Sequence, residues 1–274
     1  MDYNQNNTQG YTTGNDGFGP MQYDNGGFSN TTYQNYDDMA GGFESGNAVQ
    51  TPITKLKSLM FEEVIAKSFL FMVAALVITA FAAFTAPYYM LKWLMAGSFN
   101  LYILFGAELA IVLISNWALK KNNAILAGVL YTVYSYLTGA TLGIIFLAYT
   151  GTSIAAVFLM TAGMFGVMAI YGLVTQRDLS SFSSILVMGL VGIIIASLVN
   201  LLLLHSGALE FIISIVGVLI FVGLTAYDTQ KIKERVAIAN EGNVLTLALA
   251  GAFELYLDFI NLFLKLLRLF GKRK

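Results

Sequence analysis

"AGAFELYLDFINLFLKLLRLFGKRK", residues 250–274, gives the strongest indication of the fold, because it reads as a lipid-compatible helix that nevertheless carries two acids. Its apolar run has the length of a helix that crosses a bilayer, about 20 residues. Glu254 and Asp258 lie one turn apart in that run and project from one helix face. A carboxylate near the bilayer centre costs about 2.5–3.5 kcal/mol on insertion scales. The stretch therefore predicts a membrane helix, and it raises the question of why that helix carries two acids.

The composition of the whole chain indicates an all-α, polytopic membrane protein. Of its 274 residues, 57% are hydrophobic and 11% are charged, whereas soluble domains carry about 25% charged residues. Helices are expected because lipid offers no hydrogen-bond partners to an open backbone. The connections are short except for a long loop predicted at 229–243. Seven apolar runs predict seven transmembrane helices, at roughly 66–86, 97–119, 124–148, 153–174, 184–204, 208–228 and 244–268.

Two regions of different composition predict the domain organisation. Residues 1–54 form an Asn-, Gly- and Tyr-rich N-terminal tail, and residues 55–274 form the seven-helix transmembrane domain. The first fifty residues contain eight Asn, nine Gly and five Tyr, without a periodic apolar face that would offset the entropy of ordering. We expect a disordered, solvated extension. Recruitment of protein partners through residues 1–50 is the alternative.

The distribution of charges predicts the orientation. Residues 1–50 hold six acids and no Lys or Arg. Most bases of the remaining chain fall on the tail's side of the membrane, which is therefore expected to be cytosolic. Seven full spans place the basic C-terminus on the opposite side, so a re-entrant course of one of the last two runs is the alternative. The bases suit contact with anionic headgroups of the lipid bilayer, and nothing indicates nucleic-acid binding.

The residue types exclude several kinds of catalytic and metal site. The chain has no cysteine and one histidine, His205, which excludes disulfides, thiolate catalysis and His-rich metal sites. We expect no enzyme activity and no cofactor. The strongest enzyme alternative is an intramembrane aspartyl protease, because "YD" at 227–228 matches half of the presenilin-like pattern. "LYL" at 255–257 stands where that pattern has Gly-x-Gly before the second Asp, which disfavours this alternative.

Four acids at membrane depth are the candidate site residues: Glu108, Glu254, Asp258, and Asp228 at the foot of the sixth run. No Lys or Arg is expected at the middle of a span. Such acids usually face a bundle interior, pair with one another or line a polar path. For Asp228, the alternative is an interfacial acid beside Lys231. Glu254 is either a pore-lining acid or an outward-facing or hydrogen-bonded one.

Two C-terminal segments carry a resemblance to a known family. "AYDTQKIKER" (226–235), followed by "LYLDFINLFLKLLRLFG" (255–271), closely resembles the C-terminal signature of the transmembrane Bax inhibitor motif family, which has bacterial members. "GAELAIVLISNW" (106–117) is similar to the family's second span, including the acid at Glu108. The resemblance covers roughly residues 60–271.

The resemblance implies both a fold and a function. The family's last helix is central and surrounded by the other six. The implied activity is a calcium leak gated by pH, in which one aspartate from each of the last two spans forms a proton-sharing pair. These aspartates map onto Asp228 and Asp258, which would also be the tentative ligands of the permeant Ca²⁺. Glu108 and Glu254 are candidate pore residues.

The chain departs from its bacterial relatives at one implied position. Such relatives can carry an arginine shortly after the second-span tryptophan, able to latch onto the aspartate pair. Here "NWALKKNN" places Leu119 and Lys120 in that neighbourhood. Lys120 could act as a point charge but lacks the planar fork of arginine.

Small residues predict close helix contacts at several positions, namely Gly139, Gly143, Gly163, Gly166 and Gly223.

Two further expectations concern the cellular role. A membrane adaptor or regulator of stress or cell death, without a flux of its own, is the alternative to the calcium leak. The expected location is a bacterial plasma membrane with a cytosolic N-terminus. The absence of cysteine is compatible with that membrane. An organellar membrane is the alternative.

Overall fold

The computed structural model describes residues 52–97, 99–239 and 243–274. It confirms the predicted all-α class: these residues form no β-strand, and an isolated bridge joins Tyr149 to Arg273. The prediction for residues 1–51 of the tail lies outside the described residues. The first described helix begins at Pro52, three residues before the predicted domain boundary.

Seven of the helices in the described residues are long and apolar enough to cross a membrane, as predicted. The chain is therefore a multi-pass membrane protein. The remaining α-helix of the described residues, the short α2, does not span the membrane and replaces the predicted connection after the first span. A five-residue π-helical segment, Asn200–Leu204, continues α6. The helices are α1 Pro52–Thr85, α2 Pro87–Met95, α3 Asn100–Lys120, α4 Ala124–Leu147, α5 Gly151–Val174, α6 Ser180–Val199, α7 Gly207–Ile238 and α8 Val244–Phe270.

The predicted loop at 229–243 is wrong for most of its length, because α7 continues ten residues past its predicted end at 228. The segment 229–238, "TQKIKERVAI", contains no glycine or proline to end a helix. Ile232 and Val236 lie one turn apart and are 1% and 2% exposed. Their burial explains why the helix continues despite four charged residues among its neighbours.

Helix α8 is the most enclosed of the described helices. In its most apolar stretch 67% of the residues are buried, against 6–39% in the other six spanning helices. It packs against α1, α3, α4, α5 and α7, whereas α6 packs on α7. The expectation that all six other spans surround α8 stays a prediction.

Glycines allow α4 to approach the backbone of α1. A Cβ atom on Gly139 would lie 2.3 Å from Thr79 O, and one on Gly143 would lie 2.6 Å from Ala83 O. Both contacts confirm the predicted small-residue packing. At Gly223 the near neighbour is a Leu186 side chain. For two glycines of α5 the prediction is wrong, since a Cβ would meet nothing within 4 Å at Gly163 or Gly166.

The two ends of the bundle are distinguished by its connections. We call the end where α1 begins the near end, and the opposite end, where α8 ends, the far end. At the far end the last residues pair with the α4–α5 connection: Thr150 N donates to Lys272 O and Lys274 N to Ala148 O, both at 3.0 Å. This pairing places the end of α8 opposite the start of α1. A re-entrant last helix is therefore not supported.

Candidate functional site

Asp258 lies in the interior of the bundle at mid-height. It follows Val244 by fourteen residues and precedes Phe270 by twelve, so it is about 20 Å from either end of α8 at 1.5 Å per residue. The residue is 4% exposed. Its Oδ2 atom is buried and has no hydrogen-bond partner among the described residues. Leaving a carboxylate oxygen in this state is costly unless a proton or a cation is at hand.

Asp228 of α7 is the acidic neighbour of Asp258. The two carboxyl groups are near enough to interact electrostatically, and the Asp228 side chain is 13% exposed. Two carboxyl groups can form a hydrogen bond only when one of them carries a proton, since an ionised carboxylate is an acceptor alone. The α7–α8 contact thus brings together the two acids that the family resemblance singles out.

Glu254 is held by two cations of α7. Arg235 binds it through both ends of the guanidinium, with Nη2 2.6 Å from Oε1 and Nη1 2.8 Å from Oε2. Lys231 Nζ lies 3.2 Å from Glu254 Oε1 and 3.8 Å from Asp228 Oδ1, so it stands between the two acids. Of the two interpretations offered for Glu254, the structure agrees with the hydrogen-bonded one.

Lys231 and Arg235 belong to the extended α7, where a loop was predicted. Asp228, Lys231 and Arg235 are spaced i, i+3 and i+7, which places them on one helix face. Glu254 and Asp258 are spaced i and i+4 on α8 and meet that face. The sequence spacing could have placed both cations on the helix face of Asp228, once the helix was continued past 228, but not their contact with Glu254.

Glu108 lies on the other side of α8. It accepts a hydrogen bond from Thr141 Oγ1 at 3.1 Å and is close enough to Tyr134 to interact electrostatically. The Tyr134 ring packs edge-on against Tyr256, with centroids 6.0 Å apart. Tyr256 precedes Asp258 by two residues, which corresponds to about 200° around the helix. Glu108 therefore belongs to a second polar region, separate from the aspartate pair.

The structure does not bring Lys120 to the aspartate pair. The side chain is exposed at the near end of α3, and no ion pair of the described residues includes it. Lys231 is instead the base nearest to Asp228, and it belongs to the next turn of the same helix.

The arrangement of acids indicates how a metal ion could be bound. Within the described ranges, no group of three or more His, Cys, Asp or Glu side chains is placed to hold one. Ca²⁺ in resident sites takes six to eight oxygen ligands, and Glu254 is already occupied by Arg235. Asp228 and Asp258 together supply four carboxyl oxygens, fewer than such a resident site requires.

A family profile described as inhibitor of apoptosis-promoting Bax1 matches residues 62–274. The chain belongs to this Bax inhibitor family. The match confirms the predicted family and covers every residue of the site described above. It begins within α1, and residues 1–61 lie outside it.

Bacterial relatives support the assignment of this Bax inhibitor family member. The inner membrane protein YbhL of Escherichia coli (strain K12) is 42% identical over 237 residues, which are 85% of this chain and 99% of that protein. An uncharacterized protein of Rickettsia prowazekii is 43% identical over 234 residues, 82% of this chain and 98% of its own length. An uncharacterized membrane protein of Streptococcus pyogenes serotype M6 is 43% identical over 174 residues, covering 62% and 75%.

Proposed function

We propose that the protein is a pH-sensitive calcium leak channel, in which the Asp228–Asp258 pair is the proton-sharing gate. The observation that carries the proposal is the proximity of these two carboxyl groups at the α7–α8 contact, together with the burial of Asp258 in the interior of a membrane bundle. Paired carboxyl groups titrate as a unit. One proton held between them joins α7 to α8.

Loss of the shared proton separates the helices and attracts a cation at the same time. Two ionised carboxylates in a low-dielectric interior repel each other strongly. Their oxygens are also the ligands that Ca²⁺ prefers. Protons and calcium therefore compete for one set of oxygens, and the calcium flux is expected to rise as the pH rises. The flux is passive and follows the electrochemical gradient.

Arg235 and Lys231 set the charge around the gate. Because Arg235 neutralises Glu254 through two charge-assisted hydrogen bonds, this third acid does not compete for calcium in the closed state. Lys231 is shared between Glu254 and Asp228. Ionisation of the aspartate pair draws Lys231 towards Asp228, which weakens its bond to Glu254. We assign these bases the role expected of the second-span arginine.

The test is calcium flux through purified protein in liposomes loaded with a calcium indicator, measured between pH 5 and 8. Asp228→Asn and Asp258→Asn each remove one titrating group while keeping the side-chain shape, and each is expected to abolish the pH response. Glu62→Gln neutralises an exposed acid of α1 and serves as the control. A pH response that survives both Asp→Asn changes would exclude the pair as the sensor.

The same experiment separates the channel from the adaptor alternative. An adaptor without its own flux leaves liposomes tight at every pH, although it folds and inserts. Flux by the purified chain, without any other protein, would show that the bundle itself conducts. Deletion of residues 1–50 adds a second comparison, since the channel proposal expects the flux to persist.

We further propose a bacterial plasma membrane as the location, with the near end facing the cytosol. The name of the E. coli relative, an inner membrane protein, supports this location, and the positive-inside distribution of bases supports the orientation. The chain has no cysteine, so a single cysteine introduced at either end is a unique label. A membrane-impermeant maleimide applied to intact cells should modify a far-end cysteine but not a near-end one.

A further inference from the structure

The far end carries its own marker of the membrane boundary, helix α2. Its aromatic side chains Tyr88, Tyr89 and Trp93 are 71%, 73% and 40% exposed, as is typical of residues at the headgroup level. Helix α2 packs on α4, and the residues that follow α4 pair with the chain's last residues. The segment 271–274 is therefore placed beside the headgroups rather than deep in lipid or far out in water.

Basic side chains dominate this end of the bundle. Among the residues described, the acid on this side is Glu210, and it is already bound by Arg268. The exposed side chains of Lys272, Arg273 and Lys274 form no ion pair within the described ranges. The bases at the far end are Lys92, Lys265, Arg268, Lys272, Arg273 and Lys274. At the near end, by contrast, acids such as Glu62, Glu63, Asp178 and Glu234 are interspersed among the bases.

The last residues are held in a fixed position by the rest of the bundle. Besides the two backbone bonds to the α4–α5 connection, Lys272 N donates to Ser153 Oγ at 2.8 Å. Gly271 lies so close to Tyr149 that a Cβ atom would be 2.7 Å from its ring. A chain end is ordinarily mobile unless tied down. Here three neighbouring cations stand on an ordered backbone, which reduces the entropy lost when they bind an anion.

We propose that the segment Lys272–Lys274 is a binding surface for the phosphate groups of anionic phospholipids, such as phosphatidylglycerol, in the leaflet at the far end. Three unpaired cations, a fixed backbone and a position at headgroup level match a diester phosphate presented by the bilayer. Arginine can bind such a phosphate through two hydrogen bonds, and the lysines add point charges. The contact would secure the end of α8, the helix that carries Asp258.

The test measures the association of spin-labelled phosphatidylglycerol, relative to phosphatidylcholine, with the full chain in phosphatidylcholine bilayers. Each juxtamembrane base near an anionic leaflet adds to the binding free energy of an anionic lipid. Neutralising three such bases should therefore weaken the association of phosphatidylglycerol at the site roughly 100-fold. The variant is K272Q/R273Q/K274Q. The control is K120Q/K121Q/K233Q, which removes the same charge from exposed near-end positions. Melting temperatures in pure phosphatidylcholine verify that both variants are folded.

Three outcomes decide the proposal. Loss of selectivity for phosphatidylglycerol in the far-end variant, with retention in the near-end variant, supports it. Equal loss of this selectivity in both variants, or no loss in either, overturns the proposal, because net charge or general solvation by lipid would then explain the association. A third arm adds soluble glycerol phosphate. If this displaces the labelled lipid at millimolar concentration, the site recognises free phosphate esters and the lipid proposal fails.

Discussion

Replacing Gly172 by alanine tests the link between helix packing and the carboxyl pair. Gly172 lies in α5 where it crosses α7, and an added Cβ would lie 2.3 Å from Ala226 O, 3.0 Å from Ala226 C and 3.1 Å from Ala226 Cα. These are backbone atoms, which cannot rotate away. Ala226 precedes Asp228 by two residues, so any displacement of α7 here moves one member of the carboxyl pair.

The geometry sets the size of the effect. Ordinary contact begins at 3.4 Å, so α5 and α7 must separate by about 1 Å to accept the new methyl group. Overpacking of this kind costs about 1–3 kcal/mol. Alanine recovers up to about 1 kcal/mol relative to glycine in a helix interior. A shift of about 1 Å would also be enough to break a hydrogen bond shared by the two carboxyl groups, because the usual range of O–H···O distances is about 0.5 Å wide.

Gly163→Ala is the matched control, since it is the same change in the same helix and its Cβ would meet nothing within 4 Å. The helix-propensity gain is common to both variants, so their difference isolates the clash. We expect Gly172→Ala to be less stable than Gly163→Ala by about 1–3 kcal/mol in detergent unfolding, and to have a flatter pH dependence of calcium flux. Equal stability of the two variants would refute the packing argument.

Three further substitutions probe the polar contacts. Arg235→Gln leaves Glu254 without its main partner. Because both side chains are about a quarter exposed, we expect the free energy of unfolding to fall by roughly 2 kcal/mol. We also expect a faster calcium flux in liposomes. Tyr256→Phe removes the hydroxyl that shares a 2.6 Å hydrogen bond with Thr79 Oγ1, which should lower stability by about 1 kcal/mol and leave the pH response of the flux intact. Gln230→Leu removes two 2.8 Å hydrogen bonds to the backbone of the α5–α6 connection, so that connection should become protease-sensitive in limited proteolysis.

The periodicity and length of apolar runs predicted the seven spans because lipid imposes one requirement on all of them. Each run had to satisfy its own backbone, and helices of about 20 residues do so. Predicted and observed limits differ most at α1 and α7, where charged residues continue the helices beyond the apolar run. Hydrophobicity alone could not place those ends, because burial of a few residues such as Ile232 maintains the helix among charges.

The carboxyl pair and its cations differ in how far the sequence could define them. The cost of acids in lipid predicted that such residues face the interior, whereas the pairing of Asp228 with Asp258 was implied by the family resemblance. The partner of Glu254 was missed, because contact between Arg235 and Glu254 depends on the rotation of α7 relative to α8. That rotation is set by tertiary packing. Sequence spacing defines the faces of each helix but not which faces meet.

The seven spanning helices of the described residues have a practical consequence for anyone who attaches a reporter to this chain. A fluorescent or enzymatic tag joined ahead of α1 and one joined after Lys274 would reside in different compartments, exposed to different acidity, redox chemistry and proteases. A tag that becomes fluorescent only in the cytoplasm would therefore show no fluorescence when fused at one of these positions and normal fluorescence at the other. A single pair of fusions would thus establish which compartment the near end and the far end of the bundle each face.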